Sequence, residues 1–493
     1  MDFIRGEDRS QLILLPDSVE EYVYDNNPVR VIDAYINSLN LKDLGFSKSE
    51  LNETGRPPYD PKDLLKLYVY GYMNRIRSSR RLETESKRNL ELIWLLGKLS
   101  PDFKTICRFR ETNPEALKNV FREFVKLCAR LGLYGKELIA IDSCKFKAVN
   151  SRSRNFTQKQ LEGIVAESSG KIDRYMSELE QNDALEKAYS GEKSVEEITH
   201  IVACLTERKE QYEGYVKGLR ETGEKQKSLT DPESRLMHSN GKKDVCYNVQ
   251  TAVDAKNKMI VEFEVSNQCN DKNFITPMAV KTQQLLETEN ISAVADAGYE
   301  SIQDILSAMS HGVDVHVAGT NFDICLPADD VEQTDISTHK DGRCVYIAER
   351  NISLCPMGKV LYPTSIKKNK GRMVGVYYNY EACQQCMCKC TKDARGRFCH
   401  LVPMEKKDFS KEYNDKNLIV KQIRIAAKKE VIRQRKSIVE HPFGTIKRGM
   451  EAGCCLTKGL RNVNGEFSLT FLAYNLKRAI NILGCKKLIS GMA

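Results

Sequence analysis

Two apolar runs of β-strand character each end in an aspartate, and this repeated device constrains the fold more than any other feature of the chain. Glu137-Leu-Ile-Ala-Ile-Asp142 is the first; Ile291-Ser-Ala-Val-Ala-Asp296, continuing into Ala297-Gly298-Tyr299, is the second, with its acid 154 positions later. An apolar strand that ends in an acid delivers a carboxylate to the rim of a sheet. A third acid, Glu440, closes Arg433-Gln-Arg-Lys436-Ser-Ile-Val-Glu440 in a basic stretch. Taken singly, an aspartate at a strand end is most often a surface or capping residue. Taken together, three carboxylates from distant segments suit divalent metal and phosphoryl-transfer chemistry.

At 493 residues the chain is too long for one ordinary core, and two to four domains are expected. A hydrophobic share of 41% excludes general disorder. The net charge of +9 is modest, but the basic residues are clustered, which points to a polyanionic partner. The N-terminus lacks a signal-peptide core, and no apolar stretch approaches the ~20 residues of a membrane span. Seventeen cysteines without an export signal imply a reducing compartment. The expectation is a cytoplasmic, nucleoid-associated protein with no membrane partner.

Residues 1–135 read as a helical DNA-binding domain. Asp60-Pro61 and Asn113-Pro114 are N-cap and first-turn signals, and apolar positions from Leu117 to Leu131 recur at helical spacing. Arg77, Arg80 and Arg81 form a basic cluster among short helices, read either as solvated faces or as DNA contacts. Residues 136–156 carry the first core strand. Residues 157–230 form an inserted helical hairpin turning around Ser190-Gly191, with Leu161, Val165, Ser168, Ile172, Tyr175 and Leu179 on one seam and Val195, Ile198, Val202, Leu205, Lys209, Tyr212, Val216 and Leu219 on the other. Residues 231–320 resume the core with a hairpin, Tyr247–Val253 and Met259–Val265. A helix capped by Asn270-Asp271 follows, then the Asp296 strand, another helix and a strand at Val313–Val317. Residues 321–415 read as a β-rich insert, and 416–493 as C-terminal core helices carrying Glu440. The last helix, Phe467–Leu483, has an apolar inner face at Leu469, Leu472, Ala473, Leu476, Ile480 and Leu483. The fold class is α/β, a mixed sheet with a helical N-terminal domain and two inserts.

Phosphodiester cleavage needs an activated water and neutralisation of charge on the attacking and leaving oxygens, which Mg²⁺ (or Mn²⁺) held by few carboxylates can supply. Asp142, Asp296 and Glu440 are the candidate ligands. At 100° per residue, Arg433, Lys436, Glu440 and Lys447 share one stripe of a continuous helix, as a phosphate-facing surface would require. Pro442 disfavours that continuity and makes a kink the expectation. His441 reads as a DNA contact or a packing residue.

Cys383-Gln-Gln-Cys386, with Cys390 after it and Cys355-Pro-Met-Gly358 before it, could supply four thiolates to a structural Zn²⁺. Reduced free thiols are the competing reading, and Cys388 competes with Cys390 for the register. No glycine-rich phosphate loop appears, which argues against an ATP-driven or dinucleotide enzyme.

From about residue 15 to 485 the chain resembles bacterial insertion-sequence transposases of the DDE kind. It is most similar to the branch whose last acid lies in a Tyr-Arg-Glu-Lys signature. The N-terminal marks are Pro57-Pro-Tyr-Asp-Pro-Lys62, Tyr70-Gly-Tyr72, Arg77-Ser-Ser-Arg-Arg-Leu82 and Pro101-Asp-Phe-Lys-Thr-Ile106. The core marks are Ala140-Ile-Asp142, Tyr247-Asn-Val-Gln-Thr-Ala-Val-Asp254, Ala295-Asp-Ala-Gly-Tyr-Glu-Ser301 and Val439-Glu-His-Pro-Phe-Gly-Thr-Ile-Lys447. The resemblance implies a ribonuclease-H-like core with Asp142, Asp296 and Glu440 as the metal-binding triad. It also implies cleavage at terminal inverted repeats, transfer of the freed 3′ ends to target double-stranded DNA, and a homodimer assembled on that DNA. Arg433 stands where tyrosine is usual and Lys436 where arginine is usual; Glu440 and Lys447 match. The other functional readings are a transposase-derived DNA-binding protein without transposition activity and a metal-dependent nuclease.

Overall fold

The computed structural model describes residues 18–49, 57–184, 195–239, 241–299, 301–317, 345–347, 352–356, 360–369, 372–379, 383, 386, 399–401 and 429–492. In chain order, α1 (Pro28–Asn37), α2 (Pro61–Met73), α3 (Ser79–Ser86), α4 (Leu90–Leu95), α5 (Phe103–Thr112) and α6 (Pro114–Arg130) come first. There follow β1 (Leu138–Lys147), β2 (Asn155–Thr157), α7 (Gln158–Ala184), α8 (Val195–Thr222) and β3 (Gln226–Ser228). Next are β4 (Arg235–Ser239), β5 (Lys242–Asp254), β6 (Ile260–Ser266), α9 (Ile275–Leu286), β7 (Ile291–Ala295), α10 (Ile302–Ser310) and β8 (Val313–Val317). The insert supplies β9 (Val345–Ile347), β10 (Ile352–Leu354), β11 (Val360–Asn369), β12 (Arg372–Tyr378) and β13 (Cys399–Leu401). The chain closes with α11 (Lys429–Gly444), α12 (Leu460–Leu483) and α13 (Cys485–Ser490). Among the described residues no helix is long and apolar enough to cross a membrane.

The chain forms two compact units. One comprises Met1–Gly135, Ser143–Cys269 and Glu440–Ala493; the other comprises Lys136–Asp142 and Asn270–Val439. Both β1 and α11 run from one unit into the other.

In the first unit α2 and α6 begin where the sequence places them, whereas α12 begins at Leu460, ahead of the expected Phe467. The Asp60 carboxylate accepts from the Lys62 amide ahead of Pro61, so α2 starts with a satisfied cap and a preset φ. Asn113 behaves differently from a cap: its side chain accepts from the Ser47 amide at 2.7 Å and donates to the Phe109 carbonyl at 2.8 Å, tying a distant loop to α5. Pro114 alone marks the start of α6.

Helix α12 packs on α2, α5, α6 and β6, and its middle is buried without interruption from Phe467 to Leu476. The single apolar face expected for it is too narrow a description, because helices and sheet cover it from all sides. Gly465 allows the closest approach, since an added Cβ would stand 2.8 Å from the Pro114 Cβ. Asn475 reaches β6, accepting from the Ile260 amide and donating to its carbonyl at 3.0 and 2.7 Å.

The β5–β6 hairpin is antiparallel, with Val249 opposite Val265 and Thr251 opposite Phe263, and β4 pairs with β5 on its other side. Strand β4 carries no turn or alternation signal in the sequence. The second part of β1 runs beside β5, Ala148 donating to the Val245 carbonyl at 2.9 Å. Helices α7 and α8 pack as a hairpin on Leu161, Ile198, Val216 and Leu219, with β2 and β3 paired at its base. The joint at Ser190-Gly191 lies outside the described residues.

Among the described residues, four carboxylates are buried in this unit, those of Asp231, Asp254, Glu262 and Glu466, and the two glutamates are paired with cations. Glu466 on α12 binds Arg77 and accepts from the Leu456 and Thr457 amides. Glu262 on β6 is fully buried and meets Lys118 at 2.6 Å and Arg122 at 3.1 Å, both on α6.

In the second unit β1, β7 and β8 are parallel, with Ile139 opposite Ala293 and Ala293 opposite Val315. The sequence places the cap of α9 at Asn270-Asp271. Instead the helix begins at Ile275, and the Asp304 carboxylate on α10 accepts from the Ile275 and Thr276 amides at 2.9 and 3.1 Å. A tertiary partner thus satisfies the orphan donors that a local cap usually takes. The β-rich insert is an antiparallel sheet in the order β13-β12-β11-β10-β9. The antiparallel first unit and parallel second unit together give the α/β class with a mixed sheet and helical N-terminal region.

Helix α11 passes through Pro442 to Gly444 and continues in a π turn, Thr445–Gly449, so proline does not end it. The portion between Leu418 and Lys428 expected to be helical lies outside the described residues.

The Glu262 pair yields a pH-dependent prediction. Burial alone would raise the Glu262 carboxyl, but Lys118 and Arg122 outweigh it and hold the pKa below its ordinary 4.5. The stabilisation is therefore present above pH 4.5 and is lost as pH falls through the lowered folded value. Glu262→Gln leaves two cations facing a neutral amide and is expected to cost about 3 kcal/mol at pH 7. Urea melts of wild type and variant at several pH values check this: the gap should narrow under acid, and a pH-independent gap would contradict the charge pairing.

Candidate active site

The parallel ladder between β1 and β7 explains how two remote acids meet. Its register is Leu138 with Ser292, Ile139 with Ala293 and Ala140 with Val294. Each partner lies 154 positions farther along, the same interval that separates Asp142 from Asp296. Extended by two residues, the register sets Asp142 opposite Asp296 at the end of the parallel β1–β7 ladder; Asp296 directly follows β7, whereas β1, expected to close at Asp142, continues to Lys147. In open α/β sheets the carboxyl end of the parallel strands is where side chains reach a ligand.

Both carboxylates face one cation. Arg435 on α11 brings Nη1 to 3.0 Å from Asp142 Oδ2 and 4.0 Å from Asp296 Oδ2. The arginine side chain is 15% exposed and Asp142 20%, so solvent screens this pair only in part. The loop after Asp296 is shaped around its carboxylate. Asp296 Oδ1 accepts from the Gly298 amide at 2.8 Å. A Cβ at position 298 would stand 3.0 Å from that oxygen and 3.7 Å from Asp271 Oδ2. Any side chain there would crowd that oxygen, so the close approach favours glycine, and Asp271, a cap in the sequence reading, becomes a neighbour of the Asp296 loop.

The remaining expected residues divide by role. Glu440 is exposed on α11 and opens the last segment of the first unit. Among the described residues, no three His, Cys, Asp or Glu side chains are grouped as a metal ion requires. The aspartate pair nonetheless fits a divalent cation: two oxygen donors converge on a cationic nitrogen, the donor type and charge that Mg²⁺ prefers.

Arg433 and Lys436 are exposed, one helical turn apart. Lys447 leaves their stripe: its ammonium donates to the Lys145 carbonyl at 3.0 Å and lies 4.9 Å from the centre of the Phe146 ring. His441 has its Nδ1 3.0 Å from the Tyr474 hydroxyl, and burial, with Arg478 and Lys258, pushes its pKa down. That is a packing role.

Arg77, expected on DNA, spends its guanidinium inside the protein. It donates to the Glu451 and Cys454 carbonyls and to Glu466. Arg80 and Arg81 are exposed, Arg80 lying over the Phe103 ring. Two residues of the site are absent from the sequence reading as site residues, Arg435 and Asp271. For Arg435 a signal exists: it is the basic residue of α11 that falls beside the apolar positions Ile438 and Val439.

In the insert, buried Cys355 clusters with Leu361 and Tyr377, and half-buried Cys383 packs against them. The Cys386 amide donates to the Cys383 carbonyl at 3.4 Å. Cys388 and Cys390 lie outside the described residues.

Residues 17–112 match the family described as Transposase domain (DUF772), and residues 217–476 match the Transposase DDE domain. The second match spans more than half of the chain and includes Asp296 and Glu440; Asp142 precedes it. No curated protein matches the chain. A similar solved structure is a piggyBac transposase synaptic complex with hairpin DNA, 9% identical, with a TM-score of 0.30 over 95% of this chain and 79% of that one. A likeness of that degree carries no argument here. On the family matches, both to transposase domains, this chain belongs to the DDE transposases.

Proposed function

We propose that this protein is an insertion-sequence transposase that binds the terminal inverted repeats of its element, cleaves at the element ends and joins the freed 3′ ends to target DNA. The observation that carries the reading is the meeting of Asp142 and Asp296 on one cation at the end of the parallel β1–β7 ladder. In a DDE transposase, acids so placed are the first two of the catalytic three, and Glu440 is the third, within a ribonuclease-H-like core. Bound Mg²⁺ or Mn²⁺ would supply an activated water and stabilise charge on the leaving oxygen.

The chain's own residues do the rest. Asp142 and Asp296 present their oxygens from the end of that ladder, which fixes the scissile phosphate relative to a rigid sheet. Arg433 and Lys436 offer exposed cations to the DNA backbone, with Arg80 and Arg81 doing so from the helical domain. Lys447, by its contacts with Lys145 and Phe146, braces the β1 segment behind Asp142. We assign the working form to a homodimer on DNA, because two ends must be handled together, and its location to the cytoplasm and nucleoid. In the insert, Cys355, Cys383, Cys386 and Cys390 would hold a structural Zn²⁺, a reading supported by the shared cluster of Cys355 and Cys383.

The test uses labelled DNA carrying the inverted repeats that flank the gene, with Mg²⁺, and compares wild type with Asp142→Ala, Asp296→Ala and Glu440→Ala. Losing a residue that only orients a metal ligand costs 10–100-fold, so each of these should lose on the order of 100-fold or more in cleavage while still binding DNA. Full cleavage by any of them removes that residue from the site. Cleavage without joining by wild type favours a nuclease, and binding without cleavage favours a transposase-derived DNA-binding protein.

Lys436→Ala should weaken end binding and reduce the slope of log K against log salt by about one unit. An unchanged slope places Lys436 off the DNA path. Elemental analysis of protein purified without chelator should give about one equivalent of zinc for the four-thiolate site. A folded, zinc-free protein would remove that assignment.

A further inference from the structure

Resting on the reading of Asp142 and Asp296 as metal ligands, we propose that Arg435 is a built-in counter-ion, held between the two aspartates in the absence of metal and exchanged for the divalent cation when metal binds. The geometry is that of a stand-in. One nitrogen, Nη1, lies within 4.0 Å of an oxygen from each carboxylate, so the guanidinium charge occupies the region a shared cation must enter.

The arginine is also placed to act there and not on solvent. At roughly 100° per residue, Arg435 falls on α11 between Ile438 and Val439, which are buried, and away from the exposed Arg433, Lys436 and Glu440. Its side chain is 15% exposed. An arginine remains charged at any working pH, so the counter-ion cannot be removed by deprotonation. A divalent cation arriving beside it meets like-charge repulsion in a partly screened site, and only one of the two can hold the pair at full strength.

Two consequences follow. The aspartates can be assembled and charge-balanced before metal arrives, unlike sites that fold only around their metal. Metal loading is then a competition, and the apparent affinity is reduced by the fraction of molecules in which Arg435 is docked. On one helix Arg435 and Glu440 point about 140° apart, so the face that offers the arginine to the aspartates does not offer the glutamate.

The experiment titrates full-length protein, without DNA, with Mn²⁺ by calorimetry, alongside metal-free thermal melts. With Arg435 docked in about nine molecules of ten, Arg435→Gln should bind Mn²⁺ about tenfold more tightly than wild type. The same variant should melt at a lower temperature without metal, because the aspartates then repel each other uncompensated. Arg435→Lys, which keeps the charge on a shorter side chain, should fall between the two and keeps the test usable if the glutamine variant does not fold. Affinity that is unchanged or weaker in the folded variants overturns the counter-ion role, since a merely structural arginine would not oppose metal. Asp142→Ala and Asp296→Ala separate the two levels of argument. If they leave Mn²⁺ binding intact, the metal-site reading itself fails; if they abolish it while the Arg435 variants bind no more tightly, only the counter-ion inference fails.

Discussion

Two carboxylates set opposite each other at the end of the ladder between neighbouring parallel strands repel, and that repulsion is the condition around which the second unit is organised. At an effective dielectric near 20, unit charges 4 Å apart interact by about 4 kcal/mol, a large fraction of a domain's net stability. A cation between them is therefore part of the fold. The parallel pairing of β1 with β7 brings Asp142 and Asp296 together, Gly298 leaves room for the Asp296 carboxylate, and Arg435 supplies the charge. Changing the strand register by one residue would turn Asp142 toward the opposite face and dismantle all of this at once.

The first unit handles buried charge in the same way, with the opposite outcome for function. Glu262 and Glu466 are surrounded by Lys118, Arg122 and Arg77 and by backbone donors, so each network closes on itself. Nothing in these networks offers the convergence of two acids on one cation seen at Asp142 and Asp296. They anchor α12 and β6 to the N-terminal helices, and their arginines are consumed in doing so. Arg77 illustrates the cost to sequence reading. In Arg77-Ser-Ser-Arg80-Arg81 the three cations look alike, and only the presence of Glu466, hundreds of residues away, turns one of them inward.

What was legible in the sequence was whatever is locally encoded. The Asp60-Pro61 start of α2, the β5–β6 hairpin and the seam of α7 and α8 all follow from residue spacing, and the structure has them. The end of β7 just before Asp296 was legible too, but β1 runs past Asp142 to Lys147, where its second part pairs with β5. What failed was decided at a distance. The α9 start depends on Asp304 from another helix, and Asn113 gives its side chain to Ser47. The cationic stripe of α11 was computed for an uninterrupted α-helix. A π turn, with Met450 donating to the Thr445 carbonyl, adds a residue to the turn, and the phase slips. Lys447 accordingly points at Lys145 and not along the line of Arg433 and Lys436.

Arg435 shows how the same helix could have been read further. Sorting α11 by charge alone yields a long basic run in which no member stands out. Sorting it by face separates the exposed Arg433 and Lys436 from an arginine that shares its side with buried Ile438 and Val439. A guanidinium on an apolar face is costly unless carboxylates meet it there. In a chain that also sets two acids opposite each other at the end of a parallel ladder, those acids are the partners its position calls for. The inward arginine and the paired aspartates are thus one feature seen from two places in the sequence, and the physical link between them is charge balance.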